Sequence, residues 1–372
     1  MQVNKTLEKA IRILFPFLPK RLKHYFLEFL CKRKGNVFFI KNTVNISALP
    51  KGINFKNIIW GDKTTINKNT TIENNRLLIL EDEATIPANS KLTSSYKQSL
   101  PLIIPNTKTK KRFEQLNYPI IIVLGTGRSG TESIIKTLNQ SDDNLGYHEP
   151  FDELIALSTC LLHKKISRDQ AKNILYHVFK NFDHQNKNVI ISDQKFANLI
   201  PILNELFVNI KFLWIIRCPR DFIKSSYSRG WFSDKEFGFS ENPNTPETYS
   251  SSIYSSFRID GSKCNEFTEK VWMKMHPFEK NCWYWYFWNK TIETHVKVLP
   301  QNRYRVFDLY TLNKNVNELS NFIGTPKFEY IIAKSNVANY EKIDNNWPDS
   351  WLLYQKKWCD DYYQHLQLKY DL

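Results

Sequence analysis

Tyr118-Pro119-Ile120-Ile121-Ile122-Val123-Leu124-Gly125-Thr126-Gly127-Arg128-Ser129-Gly130-Thr131-Glu132-Ser133-Ile134-Ile135 is the stretch that decides the fold. An unbroken apolar run, Tyr118 to Leu124, reads as a strand buried on both faces. A glycine-rich turn follows, and then the start of a helix. Glycines let the backbone wrap closely, and the N–H groups at a helix start attract anionic oxygens, so the segment predicts a phosphate-binding loop.

A nucleotide triphosphatase loop has the form Gly-x-x-x-x-Gly-Lys-Ser/Thr, with the lysine on the phosphates and the hydroxyl on magnesium. Counted from Gly125 and Gly130, the lysine position holds Thr131 and the metal position holds Glu132. The cation sits inside the loop instead, at Arg128, which suits an anionic 5' group handled without an obligatory metal. Downstream, the runs Val189 to Ser192, Phe212 to Ile216 and Tyr304 to Leu309 read as further buried strands, with spacers long enough for helical crossovers. The expected fold class is therefore α/β, a P-loop-type parallel sheet flanked by helices.

The run Phe212 to Ile216 leads into Arg217-Cys218-Pro219-Arg220-Asp221-Phe222-Ile223-Lys224-Ser225. Arg217 ends the strand, Pro219 turns the chain, and Ser225 lies about two helical turns on, so the pair can converge on a second phosphate. The loop Gly125 to Thr131, this Arg217-x-Pro219-Arg220-Asp221 segment with Ser225, and Arg305-Val-Phe-Asp308-Leu309 to Leu319-x-x-Phe322-Ile323-Gly324-Thr325-Pro326 together resemble the P-loop sulfotransferase superfamily. The resemblance covers roughly residues 118 to 330, and more weakly the tail to Leu372. It implies transfer of a sulfuryl group from 3'-phosphoadenosine 5'-phosphosulfate (PAPS) to a hydroxyl, with no metal. Gly125, Thr126, Gly127, Arg128, Ser129, Gly130, Thr131, Glu132 and Ser133 would then bind the 5' phosphosulfate, and Arg217 with Ser225 the 3' phosphate.

Sulfuryl transfer needs charge stabilisation and a base for the acceptor proton. Arg128 is the expected electrostatic clamp. In Asn144-Leu-Gly-Tyr147-His148-Glu149-Pro150, the position of Glu149 resembles that of the base in the branch that sulfates protein tyrosines, and carbohydrate-directed members share the Glu-Pro. Glu149 is the expected base and His148 its rival, since imidazole titrates near neutrality. Lys195, in Ser192-Asp-Gln-Lys195, resembles a lysine that contacts the bridging oxygen; a solvated lysine at a strand end is the other reading. The run Cys282-Trp283-Tyr-Trp285-Tyr-Phe-Trp288 is either a stacking platform or helix core. Residues 230 to 270, polar and rich in Ser and Asn, are long enough for an acceptor-facing insertion.

The first hundred residues differ in character. Residues 7 to 31 mix apolar side chains with Lys9, Arg12, Lys20, Arg21 and Lys23, and Pro16 and Pro19 divide them into two short helices. Two readings stand: an amphipathic segment on an anionic membrane, or an apolar face packed on the catalytic domain. Within 36 to 100, Trp60, Ile66, Ile72 and Leu78 recur every six residues, a pattern that resembles the hexapeptide repeat of parallel β-helices. About four repeats are visible, too few for an independent solenoid, so a small β cap or appended β-subdomain is expected, an ordinary meander being the other reading. The expected organisation is a basic amphipathic segment over 1–35, a β-rich region over 36–105 and a sulfotransferase domain over 113–372.

The 372 residues carry a formal charge of +15, which implies an anionic partner without choosing among nucleic acid, membrane and phosphorylated small molecule. No nucleic-acid module is recognisable. Six scattered cysteines, Cys31, Cys160, Cys218, Cys264, Cys282 and Cys359, read as reduced thiols and not as a zinc module or disulfide framework. With no signal peptide in sight, the expected location is the cytoplasm, free or peripheral at the inner membrane face. A hydroxylated acceptor, carbohydrate or glycolipid, is the expected partner. A P-loop kinase or nucleotidase, a tyrosine- or small-molecule-directed sulfotransferase, and a non-catalytic membrane or nucleic-acid binder are the alternatives.

Overall fold

In a computed structural model, the described residues are 14–33, 38, 44–51, 53–55, 57–74, 77–94, 100–104, 113–151, 153–233, 257–325, 353 and 355–372. The chain forms two compact units, residues 1–116 with 168–185, and residues 117–167 with 186–372.

The first unit is a parallel β-solenoid. Its strands are β1 (Asn45–Ile46), β2 (Ile58–Trp60), β3 (Thr65–Ile66), β4 (Thr71–Asn74), β5 (Leu78–Leu80), β6 (Thr85–Ile86), β7 (Lys91–Ser94) and β8 (Leu102–Ile104). They stack into three sheets, β1-β3-β6, β2-β5-β8 and β4-β7. Asn45 lies on Thr65 and Thr65 on Thr85, and Ile58 lies on Leu78. The six-residue recurrence of Trp60, Ile66, Ile72 and Leu78 points inward into one apolar core, which Ile86, stacked on Ile66, joins from the next coil. Coils on either side of Trp60 to Leu78 share that core, so more coils stack than the four repeats visible in the sequence.

The corners explain the polar residues between the apolar ones. Lys63, Asn69, Glu83 and Asn89 all adopt left-handed backbone, with φ between +54° and +62°. Asn tolerates this conformation better than most residues, and here the side chains also ladder. Asn69 Nδ2 donates to Asn89 Oδ1 at 3.1 Å, and Lys63 Nζ lies 3.4 Å from Glu83 Oε1. Gly61 has a steric reason, since a Cβ there would run into the Leu80–Asp82 backbone of the next coil.

A stack of coils leaves its terminal layer open to water unless something covers it. After a 3-10 turn at Phe15–Phe17, helix α1 (Lys20–Arg33) supplies the cover: Phe15, Leu27, Leu30 and Cys31 are buried in the core of Val44, Ile46, Ile53 and Phe55. The apolar face thus packs on the solenoid and not, as one reading expected, on the catalytic domain. Pro19 directly precedes α1, Pro16 lies within the 3-10 turn, and the first of the two expected helices falls largely on residues 7–13, outside the described residues. The helix Arg168–Lys180 also belongs to this unit, although the sequence placed it within the domain over 113–372. Its polar face explains why: Asn173 Nδ2 donates to Glu81 Oε1 at 3.3 Å, His177 Nε2 lies 3.5 Å from the same oxygen, and Lys180 Nζ lies 2.5 Å from Asp82 Oδ2.

The second unit is built on five parallel strands, β9 (Ile120–Leu124), β10 (Asn144–His148), β11 (Asn188–Ser192), β12 (Ile210–Ile216) and β13 (Tyr304–Asp308), in the order β10-β11-β9-β12-β13. This is the expected P-loop-type sheet. Four strands fall within two residues of the expected runs. The edge strand β10, Asn-Leu-Gly-Tyr-His, carries too little apolar character to announce itself, since it is only half buried. On one face, Ile121, Val123, Ile190, Leu213, Ile215 and Phe307 pack against α2 (Thr131–Leu138) and the later helix Val316–Ile323. The unit's further helices include α3 (Glu153–Leu162), α4 (Pro219–Tyr227), α5 (Pro277–Val296) and the C-terminal α6 (Asp361–Tyr370), and buried aromatic residues concentrate on α5. Trp283, Tyr284, Trp285 and Trp288 of α5 are buried, so that run is helix core.

Helix α6 is held to α5 through Glu293. Its carboxylate accepts from Lys369 at 2.6 Å, Tyr362 at 2.7 Å and His365 at 3.3 Å. Burial by itself would push this carboxyl up, but the hydrogen bonds outweigh it and hold it down at about 2. All six cysteines are free thiols, and burial pushes Cys31 and Cys264 up to about 12, as fits unreactive sulfur. No helix among the described residues is long and apolar enough to cross a membrane.

Two measurements follow from these packings. Gly61→Ala is expected to cost about 1–3 kcal/mol through overpacking, read as a lower Tm; an unchanged Tm would mean that the coils can separate. Because the Glu293 carboxyl is depressed when folded, its contribution is complete above the unfolded value near 4.5 and is lost as pH falls toward 2. Acid titration followed by tryptophan fluorescence is expected to show a transition in that window that Glu293→Gln removes.

Candidate functional site

Every loop singled out in the sequence leaves the C-terminal end of a strand of the parallel sheet. The Gly125 loop leaves β9, His148 and Glu149 end β10, Lys195 follows β11, and Arg217 follows β12. In open parallel sheets this is the edge where ligands bind, next to the strand at which connections diverge to opposite sides. Here that strand is β9, flanked by β11 and β12.

The loop itself is a run of left-handed backbone: Gly127, Arg128 and Gly130 have φ of +72°, +54° and +74°. A Cβ at Gly127 would displace the Gln194 amide and one at Gly130 the Leu309 methyl at 2.7 Å, and the positive φ at both makes any side chain there strained. Gly130 is also the N-cap of α2, and having no side chain it caps none of the first-turn N–H groups. The arrangement is the concave N–H nest that anions occupy.

The side chains of the loop divide into distinct tasks. Thr126 Oγ1 and Ser129 Oγ lie 2.9 Å apart, and Ser129 donates to the Gly127 carbonyl at 3.1 Å, so these hydroxyls brace the loop from within. Thr131 and Ser133 are buried at the start of α2. Glu132 pairs with Lys136 at 2.6 Å along the helix surface, which leaves its backbone as the part able to serve an anion.

Arg128 reaches outward, and its Nε donates to Ser225 Oγ at 3.0 Å. Arg217 donates to the Arg128 carbonyl at 2.5 Å, and the Arg217 carbonyl accepts from Trp285 Nε1 at 3.0 Å. The two motifs expected to hold the two ends of a bisphosphate are therefore joined, with two guanidinium groups and one hydroxyl at the junction. Beyond it, Asp221 of α4 accepts from the hydroxyl of Tyr310, whose phenol is pushed up to about 12 by burial and by that carboxylate.

His148 and Ser192 are partners in register across β10 and β11, and His148 Nδ1 lies 2.8 Å from Ser192 Oγ. The Glu149 N–H donates to the Ser192 carbonyl at 2.8 Å, and its φ of +44° turns the chain sharply off the strand. Non-glycine residues held in this region cost about 1–3 kcal/mol and cluster at functional sites. Glu149 and His148 thus diverge from one anchoring residue.

Lys195 is not the solvated lysine of the second reading. A 3-10 turn over Gln194–Leu199, capped by the Asp193 carboxylate on the Lys195 N–H at 2.7 Å, turns it inward until it is 1% exposed. Its Nζ donates to the Phe257 carbonyl at 3.4 Å and lies 5.5 Å from the Trp288 ring centroid. Phe257 also accepts from Thr159 Oγ1 of α3 at 2.7 Å, and next to it Arg258 lies 3.9 Å from the Trp231 ring centroid. The described ends of the 230–270 insertion are thereby pinned beside Lys195; residues 234–256 lie outside the described residues.

Sequence reasoning missed Gln194, and it read Tyr284 and Trp285 only as part of a stacking platform or helix core, not as hydrogen-bonding supports of the loop. Tyr284 OH donates to Gln194 Oε1 at 2.9 Å, fixing the amide that packs against Gly127. Nothing in the sequence links them, because the contact spans 90 residues. Among the described residues no cluster of potential metal ligands occurs.

No protein-family model matches the sequence, and no curated protein matches it. Solved structures similar to parts of this chain include the sulfotransferase domain from the curacin biosynthetic pathway, with 14% identity over 58% of this chain and 76% of that one, at a TM-score of 0.35. The sulfotransferase domain from the Synechococcus PCC 7002 olefin synthase is similar at 12% identity over 70% and 86%, with a TM-score of 0.35. A sulfotransferase from Alicyclobacillus acidocaldarius is similar at 14% identity over 60% and 89%, also with a TM-score of 0.35.

Tyr284→Phe keeps the buried ring and removes one donor. Losing a hydrogen bond of about 1 kcal/mol and leaving the buried Gln194 oxygen without it should lower the Tm by roughly 2–4 °C. An unchanged Tm would mean that Gln194 needs no help from Tyr284.

Proposed function

We propose that the protein is a sulfotransferase that moves a sulfuryl group from PAPS to a hydroxyl acceptor, of the carbohydrate or glycolipid class. The observation that carries this reading is the junction of Arg128, Ser225 and Arg217 beside the glycine nest. It offers two cationic anion anchors in one unit where a triphosphatase would place a lysine and a magnesium-binding hydroxyl. Thr131 and Glu132 hold those two positions, and Glu132 is committed to Lys136.

The residues fit the nucleotide. Gly127, Arg128 and Gly130 bend the loop through left-handed backbone at the start of α2, and the donor set beside it is cationic and hydroxylic, as two phosphate-type groups require. When bound, the nucleotide supplies an activated sulfuryl group on its 5' side and a 3' phosphate as a handle. The backbone of Gly125 to Ser133 would hold the 5' side, and Ser225 with Arg217 the 3' phosphate. Arg128, tied to both, would spread positive charge over the developing negative charge of the transfer. Buried Lys195 adds a second cation on the adjoining strand end.

Glu149 is the residue assigned to take the acceptor proton, with its backbone fixed by Ser192. His148 is the competitor. With Nδ1 against Ser192, its Nε2 is the nitrogen able to exchange a proton. The carbohydrate assignment rests on the Glu149-Pro150 resemblance. A P-loop kinase has no residue here to serve as its lysine or its metal hydroxyl.

Calorimetric titration with adenosine 3',5'-bisphosphate, in parallel with ATP and magnesium, tests the nucleotide. Selective binding of the bisphosphate, weakened at least about tenfold in Arg217→Ala and Ser225→Ala, is the expected result; charge-assisted contacts of about 1.5–3 kcal/mol support that size. Preference for ATP would overturn the reading. With PAPS and a panel of hydroxylated acceptors, Glu149→Gln is expected to lose about 100-fold or more in turnover. Near-normal turnover in that variant, with loss in His148→Ala, would move the base to His148.

A further inference from the structure

Strand β11 is apolar until its last residue. Val189, Ile190 and Ile191 are 0% exposed, and so is Ser192, which places a hydroxyl at the end of a buried strand. A buried hydroxyl costs free energy unless it is hydrogen-bonded. Ser192 is in register with His148 on β10 and with Val123 on β9, two residues before the loop glycine Gly125. Side chains in register on neighbouring parallel strands share a face of the sheet, and here that brings imidazole and hydroxyl together, with Nδ1 2.8 Å from Oγ.

A hydroxyl can give its proton to an imidazole nitrogen or accept one from it, and its remaining partners decide which. Among the described residues, His148 Nδ1 is the single hydrogen-bonding partner of Ser192 Oγ. If Nδ1 carried the proton and donated to Oγ, the hydroxyl proton would be left unpaired on a side chain closed to bulk water. If Ser192 instead donates to the lone pair on Nδ1, both groups are satisfied by the one contact. Neutral imidazole has a single N–H, so its proton then sits on Nε2.

We infer that Ser192 is a positioning residue: its hydroxyl donates to His148 Nδ1 and holds the ring as the Nε2–H tautomer, so that His148 meets the substrate as a hydrogen-bond donor and Glu149 alone takes the acceptor proton. The catalytic half of this inference rests on the sulfotransferase reading of the site; the tautomer rests on the β10–β11 geometry alone. With Nδ1 engaged and its proton on Nε2, the ring has no lone pair left for a base, yet it keeps a donor at the strand end. The Ser192 carbonyl accepts the Glu149 N–H at 2.8 Å, so one buried residue sets both the donor and the base.

Long-range proton–nitrogen correlation spectra of the full chain labelled with nitrogen-15 histidine read the tautomer directly, without ligand, at about pH 8.5, where an ordinary imidazole is neutral. The His148 signals are those missing in His148→Gln, and a protonated Nε2 is expected. In Ser192→Ala the two tautomers should mix, and turnover with PAPS should fall about five- to tenfold while affinity for adenosine 3',5'-bisphosphate stays within about twofold, as loss of one hydrogen bond away from the nucleotide implies. Ser192→Thr, which keeps the hydroxyl, should restore the tautomer and most of the turnover. A proton on Nδ1 in the parent chain would overturn the inference, and the parent spectrum decides this even if Ser192→Ala fails to fold. A folded Ser192→Ala variant with unchanged tautomer or unchanged turnover would overturn it as well. Failure of the parent chain to bind the bisphosphate would sink the sulfotransferase reading and the catalytic half with it, whereas the Nε2–H signal would still uphold the tautomer.

Discussion

Arg128 donates to the Ser225 hydroxyl while Arg217 donates to the Arg128 carbonyl, and the site depends on these two contacts. They tie the loop after β9 to the segment after β12, and they exist because those two strands are hydrogen-bonded neighbours in the parallel sheet. Trp285 extends the tie into the core of α5 by donating to the Arg217 carbonyl. A guanidinium held at both backbone and side chain loses little further freedom when an anion arrives, which is the general advantage of a preorganised electrostatic site.

The same logic accounts for the left-handed backbone. Gly127 and Gly130 hold positive φ that side chains rarely adopt, and Gln194 and Leu309 pack directly against them. Glu149 stores a similar constraint at the end of β10, where Ser192 holds its backbone and the imidazole of His148 together. Lys195 is carried inward by a capped turn and placed against Phe257, so the start of the described chain after the long insertion is anchored at the site.

The first unit follows a different rule. A solenoid coil cannot bury its own apolar row, and each layer is completed by the next. At Leu27, Leu30 and Cys31 the final layer is a helix instead of a coil, and along Glu81 and Asp82 it is the helix Arg168–Lys180 that supplies polar partners. This second helix was illegible as part of the unit, since its amphipathic pattern records that a face is buried and not what buries it.

The sequence by itself determined local geometry wherever sterics or periodicity act within a few residues. The buried strands, the glycine turn, the six-residue inward step and the start of α1 after Pro19 all belong to this class, because backbone conformation and alternation are properties of neighbours along the chain. Only the tertiary structure decided which distant groups meet. The engagement of Arg128 with Ser225, the bracing of Gln194 by Tyr284, the burial of Lys195 and the partner of α1 arise across separations that no local pattern encodes. The physical reason is that side-chain contacts are selected by strand order and packing, which are fixed by the whole core at once.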